Sequence, residues 1–267
     1  MEQQFQRLLG KTDLVGKKIL YFDEIDSTNT YGKKIALEGA PDGTVILADS
    51  QTGGRGRLGR AFQSPKGKGL YLTALLRPDL PLQQLLPVTT LAGVAVSDAV
   101  EQVCGVRPGV KWPNDLVLGG RKLCGILAEL VVDGDGKPCV VLGVGINVSQ
   151  TAADFSPEVA EIAISLETAL GREVSRAVLA AAVIRAFDRL YIALRTGDLS
   201  ESLAVYRRDC VNLGKTVQLI APDGTRENVT AVDIDEEFGL VVRESDGREW
   251  IIRSGEVSVR GLYGYTE

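Results

Sequence analysis

The segment Gly53-Gly54-Arg55-Gly56-Arg57-Leu58-Gly59-Arg60, which runs into Phe62-Gln63-Ser64-Pro65, restricts the fold more than any other stretch. Residues 54–59 satisfy G-x-G-x-x-G, follow a strand-like run at Thr44–Ala48, and precede Asp79 at about the distance a dinucleotide-binding unit requires. Such a unit also needs a helix directly after its glycines. Only residues 60–69 separate Gly59 from the next strand-like run, Leu70–Leu76, and Pro65, Gly67 and Gly69 among them break helices. A Rossmann unit is therefore excluded, and the glycines and arginines need another use. Arginine presents a planar fork of donors that fits phosphate or carboxylate oxygens, and each glycine allows φ > 0 and close backbone approach. The segment reads as a clamp for a small anion, mobile until a ligand offsets the entropy of ordering it. A solvated surface loop is the plain alternative. A disordered arginine-glycine RNA-binding tract would be longer and repetitive.

Composition narrows the function classes. A chain of 267 residues, 45% hydrophobic and 24% charged, can build one large domain and a small one. Its net charge of −5 argues against broad nucleic-acid binding, so the local arginines suit a small anion. The longest helix-like apolar stretch, around Leu85–Val96, is too short to span a membrane, and no opening basic-then-apolar signal precedes it. A cytoplasmic location and no membrane partner are expected. Cys104, Cys124, Cys139 and Cys210 have no C-x-x-C spacing and the chain has no histidine. That removes the usual zinc sites and histidine-based nucleophilic catalysis, so no metal-ligating residue is expected and the thiols should be buried and reduced.

Strand and helix patterns are mixed along the first 210 residues, which indicates an α/β or α+β body. Lys18–Phe22 reads as a strand, and Asp26-Ser27-Thr28-Asn29 as capping residues before a helix at Tyr31–Leu37. Leu82–Cys104 reads as a helix with Pro87 in its first turns, and Ser175 opens a long amphipathic helix. From about Val211 the pattern becomes short strands: Thr216–Ile220, Val229–Val232, Leu240–Arg243, Trp250–Arg253 and Glu256–Val259, with turns at Asp223-Gly224 and Asp246-Gly247. This predicts a small β-barrel or sandwich packed on the body.

Two further clusters repeat the anion-binding chemistry. Lys111-Trp112-Pro113-Asn114-Asp115-Leu116 leads through the Gly119-Gly120 turn to Arg121-Lys122-Leu123. The pattern predicts a hairpin that gathers Lys111, Asp115 and Lys122 at one end of a sheet; solvated lysines on a surface hairpin are the alternative. Val141–Val148 reads as a strand in which Gly143 and Gly145 leave a smooth surface for a flat ligand and Asn147 interrupts the apolar run.

Taken in order, DSTN at 26–29, SQTGGRGRLGR at 50–60, KWPNDL at 111–116, RKLCGILAEL at 121–130 and GVGINV at 143–148 resemble the biotin protein ligases. The resemblance implies an α+β fold: a catalytic domain related to class II aminoacyl-tRNA synthetases, with a mixed sheet and flanking helices over residues 1–210. An SH3-like β-barrel would follow over residues 211–267. It implies a biotin pocket of Ser27, Thr28, Asn29, Gln51, Arg55, Gly56, Arg57 and Lys122, and a nucleotide site of Arg57, Arg60, Phe62 and Asn147, with Asn147 against adenine. Phe62 stands where similar proteins often carry tryptophan. Arg57, Lys111, Asp115 and Lys122 would serve catalysis. The first strand begins near residue 18, which predicts a monofunctional enzyme without a DNA-binding helix-turn-helix and without DNA as a partner. A homodimer is left open.

The implied chemistry suits a chain without histidine. Biotin's carboxylate is ionised at neutral pH, so its attack on the α-phosphate of ATP needs no base but needs cations to bring two anions together. With ATP and Mg²⁺ as co-substrates and biotin as substrate, the product is biotinyl-5′-AMP. A lysine of a biotin carboxyl carrier protein or equivalent carboxylase domain then attacks it, with Asp115 orienting that amine or accepting its proton. Two alternatives stand beside this reading. One is a lipoate or octanoate protein ligase or transferase of related fold, disfavoured by the missing histidine. The other is a nucleotide-responsive regulatory or nucleic-acid-binding protein.

Overall fold

The computed structural model describes residues 7–221, 223–253, 258–261 and 265–266. Its larger sheet holds β1 (Ile19–Phe22), β2 (Val45–Ala48), β3 (Gly69–Leu76), β4 (Gly109–Lys111), β5 (Asp115–Leu118), β6 (Arg121–Val132) and β7 (Pro138–Asn147). The order is β1-β2-β3-β7-β6-β5-β4, with β1 and β2 parallel and every other pair antiparallel.

Alternation along β3 shows how this sheet is covered. Leu70, Leu72, Ala74 and Leu76 enter one core, whereas Leu75 enters a smaller core on the opposite face with Ile46 and Val141. All eight β3 residues are buried, as expected for a central strand covered on both sides. Helix α1 (Thr28–Leu37) covers the smaller core with Ile35 and Ala36. Helices α2 (Val88–Cys104) and α5 (Arg176–Thr196) contribute Leu91, Val96, Val100, Leu179, Val183 and Phe187 to the larger one. Short helices α3 (Pro157–Ile162) and α4 (Leu166–Leu170) precede α5, and α6 (Ser200–Asp209) follows it.

Two helix starts differ from the sequence reading. Helix α1 begins at Thr28, because Ser27 is its N-cap and its Oγ accepts from Thr30 N at 3.4 Å. Thr28 and Asn29 are thus its first turn rather than a lead-in. The run from Leu82 divides into a 3₁₀ turn at Leu82–Leu85 and α2 from Val88. Pro87 has no N–H to give a preceding turn and instead caps α2, its carbonyl accepting from Leu91 N at 2.9 Å.

The second sheet is antiparallel, in the order β11-β10-β9-β8-β12. It comprises β8 (Thr216–Ile220), β9 (Arg226–Ile234), β10 (Leu240–Arg243), β11 (Glu249–Ile252) and β12 (Ser258–Gly261). Residues 256–257 of the last expected strand lie outside the described residues. Gly224 and Gly247 adopt φ of 86° and 90° at the predicted turns. Among the described residues β11 and β12 form the two edges without pairing to each other, so the observed unit is an open five-stranded sheet. It packs on the body: Trp112, 1% exposed, donates from Nε1 to Phe238 O at 3.1 Å, and Val211 N donates to Val110 O at 2.9 Å. All four cysteines are buried and free. No described helix is long and apolar enough to cross a membrane.

Candidate active site

The glycine-arginine segment forms a narrow hairpin over the C-terminal end of β2. Phe62 N donates to Gly54 O at 2.9 Å, Gly56 N to Arg60 O at 2.7 Å, and Gly53 N to Asp26 O at 2.7 Å. Its tip turns through Leu58 (φ 55°) and Gly59 (φ 72°). Of the four glycines, each of which permits φ > 0, only Gly59 adopts it. Gly56 is extended (φ −122°, ψ −178°), a conformation open to any residue. Gly54 is required for closeness instead: a Cβ there would lie 2.3 Å from Phe62 O and 2.7 Å from Ser64 Oγ.

Beneath this hairpin lie two connected chambers. The first is bounded by the start of α1, by Gln51 and by the β6–β7 surface. Its polar wall is a continuous network. Gln51 Oε1 accepts from Thr28 N (2.8 Å) and Thr28 Oγ1 (3.1 Å), while Gln51 Nε2 donates to Ser64 Oγ (2.8 Å). Thr73 Oγ1 donates to Asn29 Oδ1 (2.7 Å), and Asn29 Nδ2 donates to Leu127 O and Glu129 Oε2, both at 3.1 Å. Burial pushes the Glu129 carboxyl up, but hydrogen bonds from Lys33 (2.8 Å) and Asn29 outweigh it and hold the group below its ordinary range. The wall is thereby an ordered set of mutually bonded donors and acceptors.

The two glycines of β7 have specific tenants. A Cβ on Gly143 would sit 1.9 Å from Asn29 Oδ1, and one on Gly145 would sit 2.4 Å from the Phe62 ring. The smooth surface read from the sequence therefore receives Asn29 and Phe62, and the same two glycines also border the first chamber. Phe62 lies over the cross-strand pair Gly125 and Gly145 and meets Tyr71 edge-on, with ring centroids 6.4 Å apart.

The second chamber lies between the hairpin, the β4–β5 connection, α3 and β12. Register places Lys111 opposite Asp115, and Lys122 Nζ reaches Asp115 Oδ1 at 2.7 Å. Burial pushes the Asp115 carboxyl up, but Lys122 and Lys111 outweigh it and keep it below the usual carboxylate range. Lys111, 5% exposed, donates to Val259 O at 2.8 Å, and burial pulls its ammonium down to about 8 against the attraction of Asp115. The Tyr265 hydroxyl donates to Asp115 Oδ2. Arg57 and Lys122 border both chambers, and Arg57 donates to Asn114 Oδ1 at 3.0 Å. Burial draws the Arg57 guanidinium below its ordinary pKa.

The structure brings Ser27, Thr28, Asn29, Gln51, Arg55, Gly56, Arg57 and Lys122 together around the first chamber. Arg57, Arg60, Phe62, Lys111, Asp115, Lys122 and Asn147 surround the second. Asn147 borders that chamber, yet its amide is engaged, donating to Ile164 O at 3.1 Å and to Lys122 O at 3.4 Å. Asn114, Thr73, Glu129 and Tyr265 also belong to the site, although no sequence motif assigned them a role. Asn114 sits inside the KWPNDL run, where its neighbours drew the attention. Glu129 and Thr73 are polar interruptions of apolar strands, a signal available but unused. Nothing near Tyr265 in sequence marks it.

The sequence model of the biotin/lipoate A/B protein ligase family matches residues 21–147. The chain is 34% identical over 237 residues to the bifunctional ligase/repressor BirA of Bacillus subtilis (strain 168), covering 89% of this chain and 73% of that protein. It is 34% identical over 236 residues to the biotin–[acetyl-CoA-carboxylase] ligase of Mycobacterium tuberculosis, covering 86% and 85%. Its fold is similar to that of the biotin protein ligase from Aquifex aeolicus solved in complex with biotin and ATP, with a TM-score of 0.78 and 29% identity over 92% of this chain and 99% of that one. The chain belongs to the biotin/lipoate A/B protein ligase family.

Proposed function

We propose that this protein is an ATP-dependent biotin ligase that forms biotinyl-5′-AMP and transfers the biotinyl group to a lysine of a biotin carboxyl carrier protein. The observation that carries the reading is the cationic junction: Arg57 and Lys122 stand where a chamber lined by the hydroxyls and amides of Ser27, Thr28, Asn29 and Gln51, with Arg55 at its border, meets one rich in cations. The first chamber suits a neutral polar ring held by hydrogen bonds, and its exit suits a carboxylate. The second suits a phosphate chain, with Phe62 offering a ring face to the base.

In the first step a carboxylate oxygen of biotin attacks the α-phosphorus of ATP and pyrophosphate leaves. Both reactants are anions, so Arg57, Lys122 and Lys111 lower their repulsion and stabilise the charge that spreads over phosphate oxygens in the transition state. Mg²⁺ enters as a co-substrate on the triphosphate. In the second step the neutral amine of the carrier lysine attacks the mixed anhydride carbonyl, the carbonyl's bond to the phosphate oxygen breaks and AMP leaves; Asp115 orients the incoming amine or accepts the proton it releases. The hairpin over the junction shields the anhydride from water. The same reading assigns residues 1–210 to a class II synthetase-like catalytic domain and 211–267 to an SH3-like unit. The five short antiparallel strands and the register shift between β10 and β9, where Val232 is the extra residue opposite Val241 and Val242, support it.

Biotin-dependent exchange of labelled pyrophosphate into ATP tests the first step. Exchange that requires biotin supports the reading, and exchange driven by lipoate or octanoate but not biotin refutes it.

A further inference from the structure

Tyr265 comes from the far end of the chain to the centre of the cationic cluster. Its hydroxyl donates to Asp115 Oδ2, and its ring faces the Lys111 ammonium, with Nζ 4.4 Å from the ring centroid. Lys111 in turn donates to Val259 O at 2.8 Å in β12. Thr266 is anchored beside it, its Oγ1 donating to Gly120 O at 3.4 Å and its carbonyl accepting from Lys215 Nζ at 3.2 Å. The segment therefore bridges the second sheet and the β5–β6 turn.

Asp115 is divided between partners. Oδ1 takes Lys122 Nζ at 2.7 Å and Asn114 Nδ2 at 3.2 Å, whereas Oδ2 takes the Tyr265 phenol. Asn114 also accepts from Arg57 at 3.0 Å. Rotation of the Asp115 carboxylate would consequently redirect both cations of the junction, and Tyr265 is the partner that opposes that rotation from the side away from Lys122. We propose that Tyr265 is a positioning residue for the ligation reaction, fixing the Asp115 carboxylate and through it the Lys122 ammonium. Burial and the neighbouring Asp115 both raise the phenol's pKa, so it remains a donor at every working pH. The ring separately covers one face of Lys111, where a cation over an aromatic surface replaces part of the lost hydration.

This inference rests on the biotin ligase reading and is tested so that the two can fail separately. Tyr265→Phe keeps the ring over Lys111 and removes only the hydroxyl. Single-turnover formation of biotinyl-AMP should slow by about tenfold or more, the usual worth of a hydrogen bond to a charged group, with KM for biotin and ATP changed less than about twofold. In an Asp115→Asn background the same substitution should have no further effect, because the hydroxyl acts through the carboxylate. Lys122 should also react faster with an amine-directed label in Tyr265→Phe, read by peptide mass spectrometry. A wild-type rate in Tyr265→Phe, additive losses in the double variant, or unchanged Lys122 labelling would each overturn the inference. A wild-type protein without biotin-dependent exchange would overturn the ligase reading instead, and Lys122 labelling alone would then decide the positioning claim.

Discussion

Gly143→Ala is the sharpest structural perturbation available in the first chamber. Gly143 pairs with Thr73 on one side and Leu127 on the other, so its backbone is held at the centre of a seven-stranded sheet. A methyl group there would lie 1.9 Å from Asn29 Oδ1, 2.7 Å from its Cγ and 2.9 Å from its Nδ2. The strand cannot retreat without breaking two ladders, so Asn29 must move. Its amide would lose the bonds to Thr73 Oγ1 (2.7 Å), Leu127 O (3.1 Å) and Glu129 Oε2 (3.1 Å). At about 1 kcal/mol net for each bond, the destabilisation is roughly 3 kcal/mol. Asn29→Ala removes the same bonds and leaves room for the added methyl group. The two substitutions should therefore be strongly non-additive: Gly143→Ala in the Asn29→Ala background should cost less than about 1 kcal/mol. Urea denaturation of the four proteins measures this cycle, and titration calorimetry should show biotin binding weakened in both single variants. Additive stability losses, or full biotin affinity in Gly143→Ala, would refute the argument that Gly143 exists to admit Asn29.

Lys122→Ala and Arg57→Ala should each slow adenylate formation by orders of magnitude in rapid-quench experiments, with unchanged circular dichroism; near-wild-type single-turnover rates for both would remove them from the junction. Lys111 supplies a pH signature. Its folded-state value of about 8 lies below the ordinary lysine value of about 10.4, so the unfolded chain binds more protons between those limits. Stability contributed by this group should rise with pH across that window, while adenylation, which needs the charged form, should fall as pH passes about 8. Lys111→Met should abolish that rise in stability, and rate and stability moving together in the wild type would contradict the assignment. Asp188 accepts from the backbone N–H groups of Asp13, Leu14 and Val15 at 2.7–2.8 Å. Asp188→Ala should lower stability by roughly 2–3 kcal/mol by leaving those donors unpaired, without altering the chemistry of the chambers.

The sheet elements were legible because their signals are local. Alternation, apolar runs and Gly-containing turns fixed β1, β2, β3 and the β5–β6 hairpin to within a residue or so; the expected single hairpin is a three-strand meander, in which β4–β5 pairing sets Lys111 opposite Asp115 and β6 brings Lys122. Helix starts were less legible: Ser27 and Pro87 each cap a helix, and the sequence does not say which of several polar or proline positions takes that role. The glycines of β7 were recognised as unusual, but their reason lies in α1 and in the hairpin, over 80 residues away for Phe62 and farther for Asn29. Tyr265 was invisible for the same cause, since its partners Lys111 and Asp115 are brought to it by the packing of one sheet on the other.

The most direct test of the account is the intact mass of a biotin carboxyl carrier domain after incubation with this protein, ATP, Mg²⁺ and biotin. The expected result is gain of one biotinyl group on a single lysine, with AMP and pyrophosphate released and no gain when ATP is omitted. An unmodified carrier domain under conditions in which the protein attaches lipoate or octanoate would contradict it.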